Sequence, residues 1–155
     1  MKIRRGEERD IPQLEKLLYQ VHKVHADARA DIFVPGAKKY TREELTTILA
    51  DDGHPVYVAE EDGIVLGYAF CIFQQPHGEN MYPRKSLYID DLCVDQSCRG
   101  GGVGAKLYHY VTETAKAAGC YSVTLNVWAC NPSAFRFYQR LGLEIQKYGM
   151  EKILE

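Results

Sequence analysis

A glycine-rich turn between a strand-like segment and a helix-like segment constrains the fold of this chain more than any other feature. Arg99 is followed by Gly100, Gly101, Gly102, Val103 and Gly104. Glycines let the backbone turn sharply and let successive N–H groups approach a ligand closely. A helix that begins at the turn adds free N–H donors and the positive end of its dipole. The run therefore predicts a strand–turn–helix unit that holds a phosphate group, with Arg99 as a neighbouring cation.

Two other phosphate-binding motifs resemble this turn but lack a required residue. The dinucleotide-binding fingerprint needs a carboxylate at the end of the following strand, roughly 20 residues on. Here that strand ends in Leu125-Asn126-Val127, which contains none. A Walker A loop needs Gly-Lys-Ser/Thr, whereas this chain has Gly104-Ala105-Lys106. A turn without any ligand remains an open alternative, because a glycine-rich turn alone is a weak signal.

Residue periodicity predicts strands and helices in the order β-α-α-β-β-β-α-β-α-β. Helix caps are predicted at Asp10, with Gln13 as its capping-box partner, and at Thr41, with Glu44. The short connection at Asp62-Gly63 is typical of a hairpin. The length of 155 residues fits a single domain over residues 1–155 with an α/β (α+β) fold, in which helices pack on one sheet. The predicted strands cover residues 2–5, 56–60, 64–73, 86–94, 121–127 and 143–154, and the predicted helices begin near residues 11, 41, 103 and 131.

Composition excludes several classes of protein. The formal net charge is -2, so we expect no broad basic surface for nucleic acid. No apolar run approaches the roughly 20 residues that span a bilayer, and the first residues lack the apolar core of a secretory signal, so we expect no membrane partner and a cytoplasmic location. The five cysteines are irregularly spaced and include no C-x-x-C pair, which indicates reduced thiols and no structural zinc.

Two coupled motifs in residues 86–145 resemble the GCN5-related N-acetyltransferase (GNAT) superfamily. The first is Asp91-Leu92-Cys93-Val94-Asp95 followed by Arg99-x-x-Gly102-x-Gly104. The second is Asn131-Pro132-Ser133-Ala134, then Phe137-Tyr138, then Gly142-Leu143, where the family usually has Gly-Phe. The resemblance implies a central mixed, mostly antiparallel sheet flanked by helices, with two strands that splay apart at the cofactor site. It also implies acetyl-CoA as a co-substrate, with no metal.

The resemblance implies a role for individual residues. The backbone of residues 99–104 would hold the CoA diphosphate, and Leu92, Cys93 and Val94 would pair with pantetheine as an added strand does. Asn131 would contact the cofactor, and Tyr138 would protonate the departing thiolate. The activity implied is acetyl transfer from the thioester to a primary amine, of a small molecule or of a peptide or protein, by direct attack in a ternary complex. A catalytically silent acyl-CoA-binding sensor is the alternative, and a homodimer is compatible with either.

The acceptor side of the site is less defined. Asp90 and Asp91 are adjacent on a predicted strand and should point to opposite faces, so that only one reaches the acceptor. The parallel with Glu-Asp-Leu in relatives favours Asp90 as the general base. His22, His25 and Arg29 end the first helix, in a segment that borders the acceptor pocket in the family, and are candidate substrate-binding residues. An acyl-cysteine at Cys93 or Cys98 is disfavoured because no paired His is evident.

Overall fold

The sheet of the protein has five strands in sequential order, and the computed structural model describes residues 1–155. Neighbours among the first four strands are antiparallel, whereas the fourth and fifth are parallel. This is the mixed, mostly antiparallel sheet that the resemblance implies. The strands are β1 (Lys2–Arg5), β2 (Val56–Glu61), β3 (Ile64–Gln74), β4 (Ser86–Val94) and β5 (Ser122–Leu125).

Four α-helices cover the two faces of the sheet, and none is long and apolar enough to cross a membrane. They are α1 (Ile11–Ala28), α2 (Arg42–Leu49), α3 (Val103–Ala117) and α4 (Pro132–Arg140). α1 and α2 pack on one face in a cluster that includes Leu14, Leu45 and Phe70. α3 packs on the other face in a cluster that includes Leu87, Ile89 and Leu107. The predicted layers are therefore confirmed, with a core on each side of the sheet.

Local sequence signals explain several boundaries. Asp62 and Gly63 both have positive φ, 52° and 80°, and they join β2 to β3 through a two-residue hairpin turn. The predicted capping box at α2 is confirmed, because Glu44 N–H donates to Thr41 Oγ1 at 3.1 Å and Thr41 N–H donates to Glu44 Oε1 at 3.2 Å.

The predicted capping box at the start of α1 is wrong. Asp10 makes no side-chain cap; its carboxylate instead accepts two hydrogen bonds from Arg4, at 2.8 and 2.9 Å, and one from the Glu7 N–H. Gln13 accepts from the Val65 N–H at 2.8 Å, outside its own helix. A charged guanidinium is a stronger hydrogen-bond donor to a carboxylate than a neutral backbone N–H, so the Asp10 carboxylate pairs with Arg4 instead of capping α1.

The predicted final strand over residues 143–154 is also wrong. These residues form no ladder, and β5 pairs only with β4, so its outer edge is open. A strand requires a partner for its N–H and C=O groups, and this segment does not pair with the open edge of β5. The segment instead runs along the surface, where Glu151 pairs with Arg29 at 2.5 Å and Tyr148 and Met150 are 80% and 94% exposed.

β4 and β5 separate part-way along their length, as the resemblance implies. Ser86 to Ile89 of β4 pair with Ser122 to Leu125 of β5. Beyond that point β4 continues to Val94 and is bonded to β3 alone. β5 is therefore shorter than the predicted strand 121–127, because its backbone diverges from β4 after Leu125. The gap leaves one edge of β4 without a partner strand.

Candidate active site

A β-bulge in β4 lies where the two strands separate. Phe70 of β3 pairs with Asp91, and the next residue, Cys71, pairs with Ile89, so Asp90 is an extra residue without a partner. An extra residue interrupts the strict alternation of side chains between the two faces. The bulge thus changes which residues of β4 face each helical layer.

The packing of β4 shows this change of face. Before the bulge, Leu87 and Ile89 belong to the α3 cluster, and after it Leu92 and Val94 do. Cys93 belongs to the α1 cluster. The carboxylates of the two aspartates consequently share the α1 face, which corrects the expectation that they point apart.

Asp91 carries a carboxyl group with an unusual proton affinity. Its Oδ2 accepts a hydrogen bond from the Tyr68 hydroxyl at 2.7 Å. Burial, and to a smaller extent the charge of Asp90, raise the pKa of Asp91 from 3.8 to about 6, although Tyr68 and Lys39 act in the opposite direction. A carboxylate with this pKa is ionised at neutral pH and can still accept a proton.

Asp90 is held by the segment that joins α1 to α2. Its Oδ2 lies 3.0 Å from Lys39 Nζ and accepts a hydrogen bond from the Tyr40 hydroxyl. The Tyr40 ring stacks on Phe70, with centroids 5.3 Å apart. Asp90 is therefore engaged in an ion pair and a hydrogen bond, whereas Asp91 has only Tyr68 as a side-chain partner.

Tyr138 lies on α4 with its hydroxyl unbonded to any group of the chain. Burial, with a contribution from the charge of Asp91, raises the pKa of Tyr138 above its usual range, so the phenol keeps its proton. The helix is held against α3 at Gly104, where an added Cβ would lie 3.0 Å from Phe137 Cζ. Asn131 caps α4, whose start near residue 131 is as predicted, since its Oδ1 accepts from the Ala134 N–H at 3.2 Å.

The glycine-rich turn leaves space at the start of α3. Gly100 and Gly102 have φ of +85° and +80°, and a Cβ on either would meet nothing within 4 Å. No side chain caps α3, so its first N–H groups are free for an anion. Arg99 has no acidic partner and only a 3.4 Å contact from its Nε to the Val94 carbonyl. These features fit a diphosphate, and Gly104 has the additional role of letting α4 approach α3.

The free edge of β4 presents backbone groups beside this turn. Leu92, Cys93 and Val94 are paired with β3 on one side and with nothing on the β5 side. The Cys93 thiol points away from the gap, with its Sγ 3.6 Å from the Leu17 carbonyl. Burial raises the pKa of Cys93 to about 12, so the thiol is no nucleophile at neutral pH. Only its backbone is available to a ligand in the gap.

The candidate substrate-binding residues at the end of α1 are already engaged in contacts with other side chains of the chain. His22 and His25 both contact the ring of Phe33, and Phe33 meets Trp128 edge-on at 5.2 Å. Burial lowers the pKa of His25, helped by the charges of His22 and Lys39. Arg29 is paired with both Asp31 and Glu151, so it offers no free cation. The two histidines therefore form one aromatic cluster with Phe33 and Trp128, which Arg29 does not join, and no group of side chains in the chain has the ligands for a metal ion.

Comparison with known families agrees with this geometry. The model of the acetyltransferase (GNAT) family matches residues 19–143, which include the bulge, the glycine-rich turn and α4. The chain belongs to the GNAT acetyltransferase family. It is an acetyl-CoA-dependent N-acetyltransferase.

Several curated N-acetyltransferases are similar to this GNAT enzyme. Thialysine N-epsilon-acetyltransferase of Bos taurus is 29% identical over 136 residues, which cover 88% of this chain and 74% of that protein. An N-acetyltransferase of Methanocaldococcus jannaschii is 32% identical over 69% of this chain and 46% of its own length. A probable glucosamine 6-phosphate N-acetyltransferase of Oryza sativa is 31% identical over 66% of this chain and 64% of that protein.

Solved structures share the whole fold of the GNAT enzyme. A mutant of a Bacillus halodurans protein superposes with a TM-score of 0.95 and 30% identity, over 100% of each chain. An aminoglycoside N-acetyltransferase in complex with CoA has a TM-score of 0.73 and 19% identity, over 99% of each chain, and supports the fold alone.

Sequence reasoning missed the residues that surround the two aspartates. Lys39 and Tyr40 precede α2 and carry no motif, and Tyr68 looks like an ordinary strand residue. Their contacts with Asp90 and Asp91 span 23 to 51 positions of the chain. No local spacing could have revealed them, because only the tertiary fold brings these side chains to the bulge.

Proposed function

We propose that this GNAT enzyme transfers an acetyl group to the primary amine of a small molecule, by direct attack in a ternary complex. The observation that carries the proposal is the presence of Asp91 and Tyr138, with perturbed pKa values, beside the gap between β4 and β5. Acetyl-CoA supplies the activated acetyl thioester when it is bound. The protein's part is to hold the donor, neutralise the amine and stabilise the leaving group.

The donor site follows from the free backbone groups. The N–H groups of residues 99–104 and the start of α3 would hold the diphosphate, with Arg99 as a counter-charge. The unpaired edge of Leu92, Cys93 and Val94 would pair with the amides of the pantetheine arm, as a β-strand does at a sheet edge. Asn131 lies at the start of α4, where its side-chain Nδ2 is unbonded and available to the same ligand.

Asp91 acts as the proton acceptor in this proposal. A primary amine has a pKa near that of lysine, about 10.4, and must lose a proton before it can attack. Asp90 is already occupied by Lys39 and Tyr40, whereas Asp91 is partly desolvated and has a pKa of about 6. Asp91 is therefore the carboxylate that is free to take the proton of the amine, and we favour it over Asp90 as the base.

Tyr138 stabilises the departing sulfur. Its hydroxyl is protonated and free of other hydrogen bonds, so it can donate to a thiolate. The pKa of the phenol lies above that of a thiol, about 8.5. The main contribution of Tyr138 is therefore a hydrogen bond to the thiolate as charge develops. The proton that completes the thiol comes from the acceptor nitrogen, which loses it as the amide forms, and the Tyr138 hydroxyl can relay it.

The names of the relatives support a small amine as acceptor. Thialysine and glucosamine 6-phosphate, named for two groups of relatives, are both small molecules with a primary amine. Amines of peptides and proteins form a second group of substrates for the test below. The open wall formed by Phe33, His22, His25 and Trp128 would bound the acceptor on the α1 side.

Two measurements test the proposed function. Acetyl-CoA should raise the melting temperature by mass action, and a panel of amines should include at least one that causes CoA release with formation of an acetylated product. Tyr138→Phe should lower kcat and leave the affinity for acetyl-CoA unchanged. Binding of acetyl-CoA without turnover of any amine would instead indicate a silent acyl-CoA-binding module, and no thermal shift would refute donor binding.

The assembly and location follow as further parts of the proposal. The open edge of β5 and the exposed apolar side chains of residues 145–154 support a homodimer, because unpaired edges and apolar tails favour association. Light scattering during gel filtration would refute this if the mass remained 17.6 kDa at high concentration. All five cysteines are free, which supports a reducing compartment such as the cytoplasm.

A further inference from the structure

An open trough runs along β4 and β5 on the face that α1 and α2 occupy elsewhere. Tyr88 of β4 lies opposite Thr124 of β5, and Ser86 lies opposite Ser122. These four side chains are only half-buried, because the α1 cluster reaches β4 at Cys93, beyond the bulge. The floor of the trough is therefore polar and accessible to a small molecule.

The outer end of the trough is an open surface pocket of about 640 Å³, and the unpaired cation of Arg84 is among its lining residues. Arg84 lies 4.2 Å from the centroid of the Tyr121 ring and 5.3 Å from that of Tyr82. Its guanidinium has no carboxylate partner and makes no side-chain hydrogen bond in the chain. Two aromatic rings hold the guanidinium in place while its N–H groups stay free, which suits recognition of a carboxylate or a phosphate.

The inner end of the trough carries the opposite charge. Ser86, Tyr88 and Asp90 alternate along β4 on one face, so the trough leads from Arg84 to the pair of aspartates at the bulge. The four residue steps from Ser86 to Asp90 correspond to about 13 Å along the strand. Asn126 Nδ2 donates to the Tyr88 hydroxyl at 3.2 Å and lines the path between the two ends. The site is thus positive at one end, and at the other end the two aspartates and Lys39, which is paired with Asp90, leave one net negative charge.

We propose that Arg84 binds an anionic group of the acceptor, so that the preferred substrate is an elongated amine with a carboxylate or phosphate at its far end. This inference rests on the proposed function, because it assumes that the amine reacts beside Asp91. An ammonium approaches the aspartates and an anion approaches Arg84, so a zwitterionic molecule is bound in one orientation. The same charge pattern disfavours diamines, whose second ammonium would lie beside the guanidinium.

Lys85 provides a matched control. It is the next residue in the chain and has the same charge, but its Nζ donates to the Ala118 carbonyl at 3.3 Å and lies over the Phe73 ring. Phe73 packs with the α3 cluster, on the opposite face of the sheet. Lys85→Gln therefore removes a neighbouring cation without changing the trough.

The test compares acceptors that differ only in their far end. Three homologous series of increasing length are used: n-alkylamines, ω-aminocarboxylates and ω-aminoalkyl phosphates. The wild-type enzyme should show a kcat/KM at least about tenfold higher for a long anionic acceptor than for the alkylamine of equal length. The carboxylate and phosphate series then show which anion Arg84 prefers.

Variants separate the role of Arg84 from general charge effects. Arg84→Gln should bring the ratio of kcat/KM for anionic acceptors to kcat/KM for neutral acceptors close to one. Arg84→Lys should retain part of the wild-type preference, and Lys85→Gln should leave the ratio unchanged. The melting temperature of each variant checks that it is folded. Because Arg84 is exposed, we expect the melting temperatures to be unchanged.

A binding measurement decides the inference independently of turnover. The affinity of each acceptor is measured by calorimetry on the protein saturated with CoA. In Arg84→Gln, only the affinity for the anionic acceptors should fall. The inference is overturned if wild type shows no preference for the anionic series, or if Arg84→Gln retains the wild-type ratio. Failure of every amine to release CoA refutes the proposed function instead, and the binding ratios still decide the role of Arg84.

Discussion

Replacing Asp91 by Asn separates the energetic cost of its burial from its use in catalysis. Asn has nearly the same shape and keeps an oxygen for the Tyr68 hydroxyl, but it has no charge at any pH. Asp91 has its pKa raised from 3.8 to about 6, so the folded protein binds its proton more tightly than the unfolded chain does. Stability from this group is therefore fully present below about pH 4 and is lost as pH rises through 6.

The magnitude follows from the size of the shift. A rise of about two pKa units corresponds to roughly 3 kcal/mol of destabilisation at pH 8, which is an upper limit because the side chain is partly exposed. Asp91→Asn should relieve that destabilisation. For a chain of this length the melting temperature should rise by up to about 6–12 °C at pH 8, and the gain should disappear near pH 4. Thermal unfolding of both proteins at the two pH values measures it.

The activity of Asp91→Asn should fall, although its stability at pH 8 should rise. In the wild type, kcat/KM should fall about tenfold for each pH unit below 6, because Asp91 must be ionised to accept a proton. Asp91→Asn should lower kcat by about 10²-fold or more. Asp90→Asn is the matched control: it should retain the acid limb of the pH profile, moved to lower pH because the charge of Asp90 helps to raise the pKa of Asp91.

Two results would refute this reasoning. If Asp91→Asn is both as active and as stable as the wild type at pH 8, the Asp91 carboxylate neither destabilises the fold nor takes part in catalysis. If the acid limb vanishes in Asp90→Asn and persists in Asp91→Asn, the base is Asp90, as the sequence motif alone favours.

Three further changes test the structure around the site. Gly67→Ala should cost about 1–3 kcal/mol of stability and weaken acetyl-CoA binding, since its Cβ would lie 2.7 Å from the Cys93 carbonyl in the segment that carries the free edge; denaturant unfolding and a binding titration measure the two effects. Asp10→Ala should cost about 3 kcal/mol because it breaks a buried ion pair, whereas Asp52→Ala, at a fully exposed carboxylate, should leave the melting temperature unchanged; equal effects would contradict the assignment. Arg99→Gln should raise the Kd for acetyl-CoA about tenfold at low salt without changing kcat, and an unchanged Kd in calorimetry would remove Arg99 from the donor site.

Most of the fold could be read from local patterns. Thr41 with Glu44 and Asn131 with Pro132 are signals that lie within a few residues of the helices they start, and the structure confirms both. The final strand failed as a prediction because a strand depends on a partner, and residues 143–154 find none in this chain. Propensity describes the segment itself and says nothing about the edge that must receive it.

The donor side of the site depends on residues that are adjacent in the chain, whereas the acceptor side depends on how distant segments pair. The glycine-rich turn is a continuous run whose backbone conformations depend on residue type, so the sequence alone indicates where a phosphate would bind. The bulge at Asp90 is different, because it exists only in the register between β4 and β3. A shift of one residue turned Asp91 to the face of Asp90, and no property of either residue predicts such a shift.

The sequence by itself therefore determined the family and the order of the elements as far as α4, and it predicts a donor site at the glycine-rich turn, because each depends on residues that are close together in the chain. The tertiary structure alone decided which aspartate is desolvated, which one is paired with Lys39, and that Arg84 faces the same trough. These properties depend on contacts between segments distant in the chain. Burial and long-range charge set the pKa of Asp91, and both arise only when the helices have packed on the sheet.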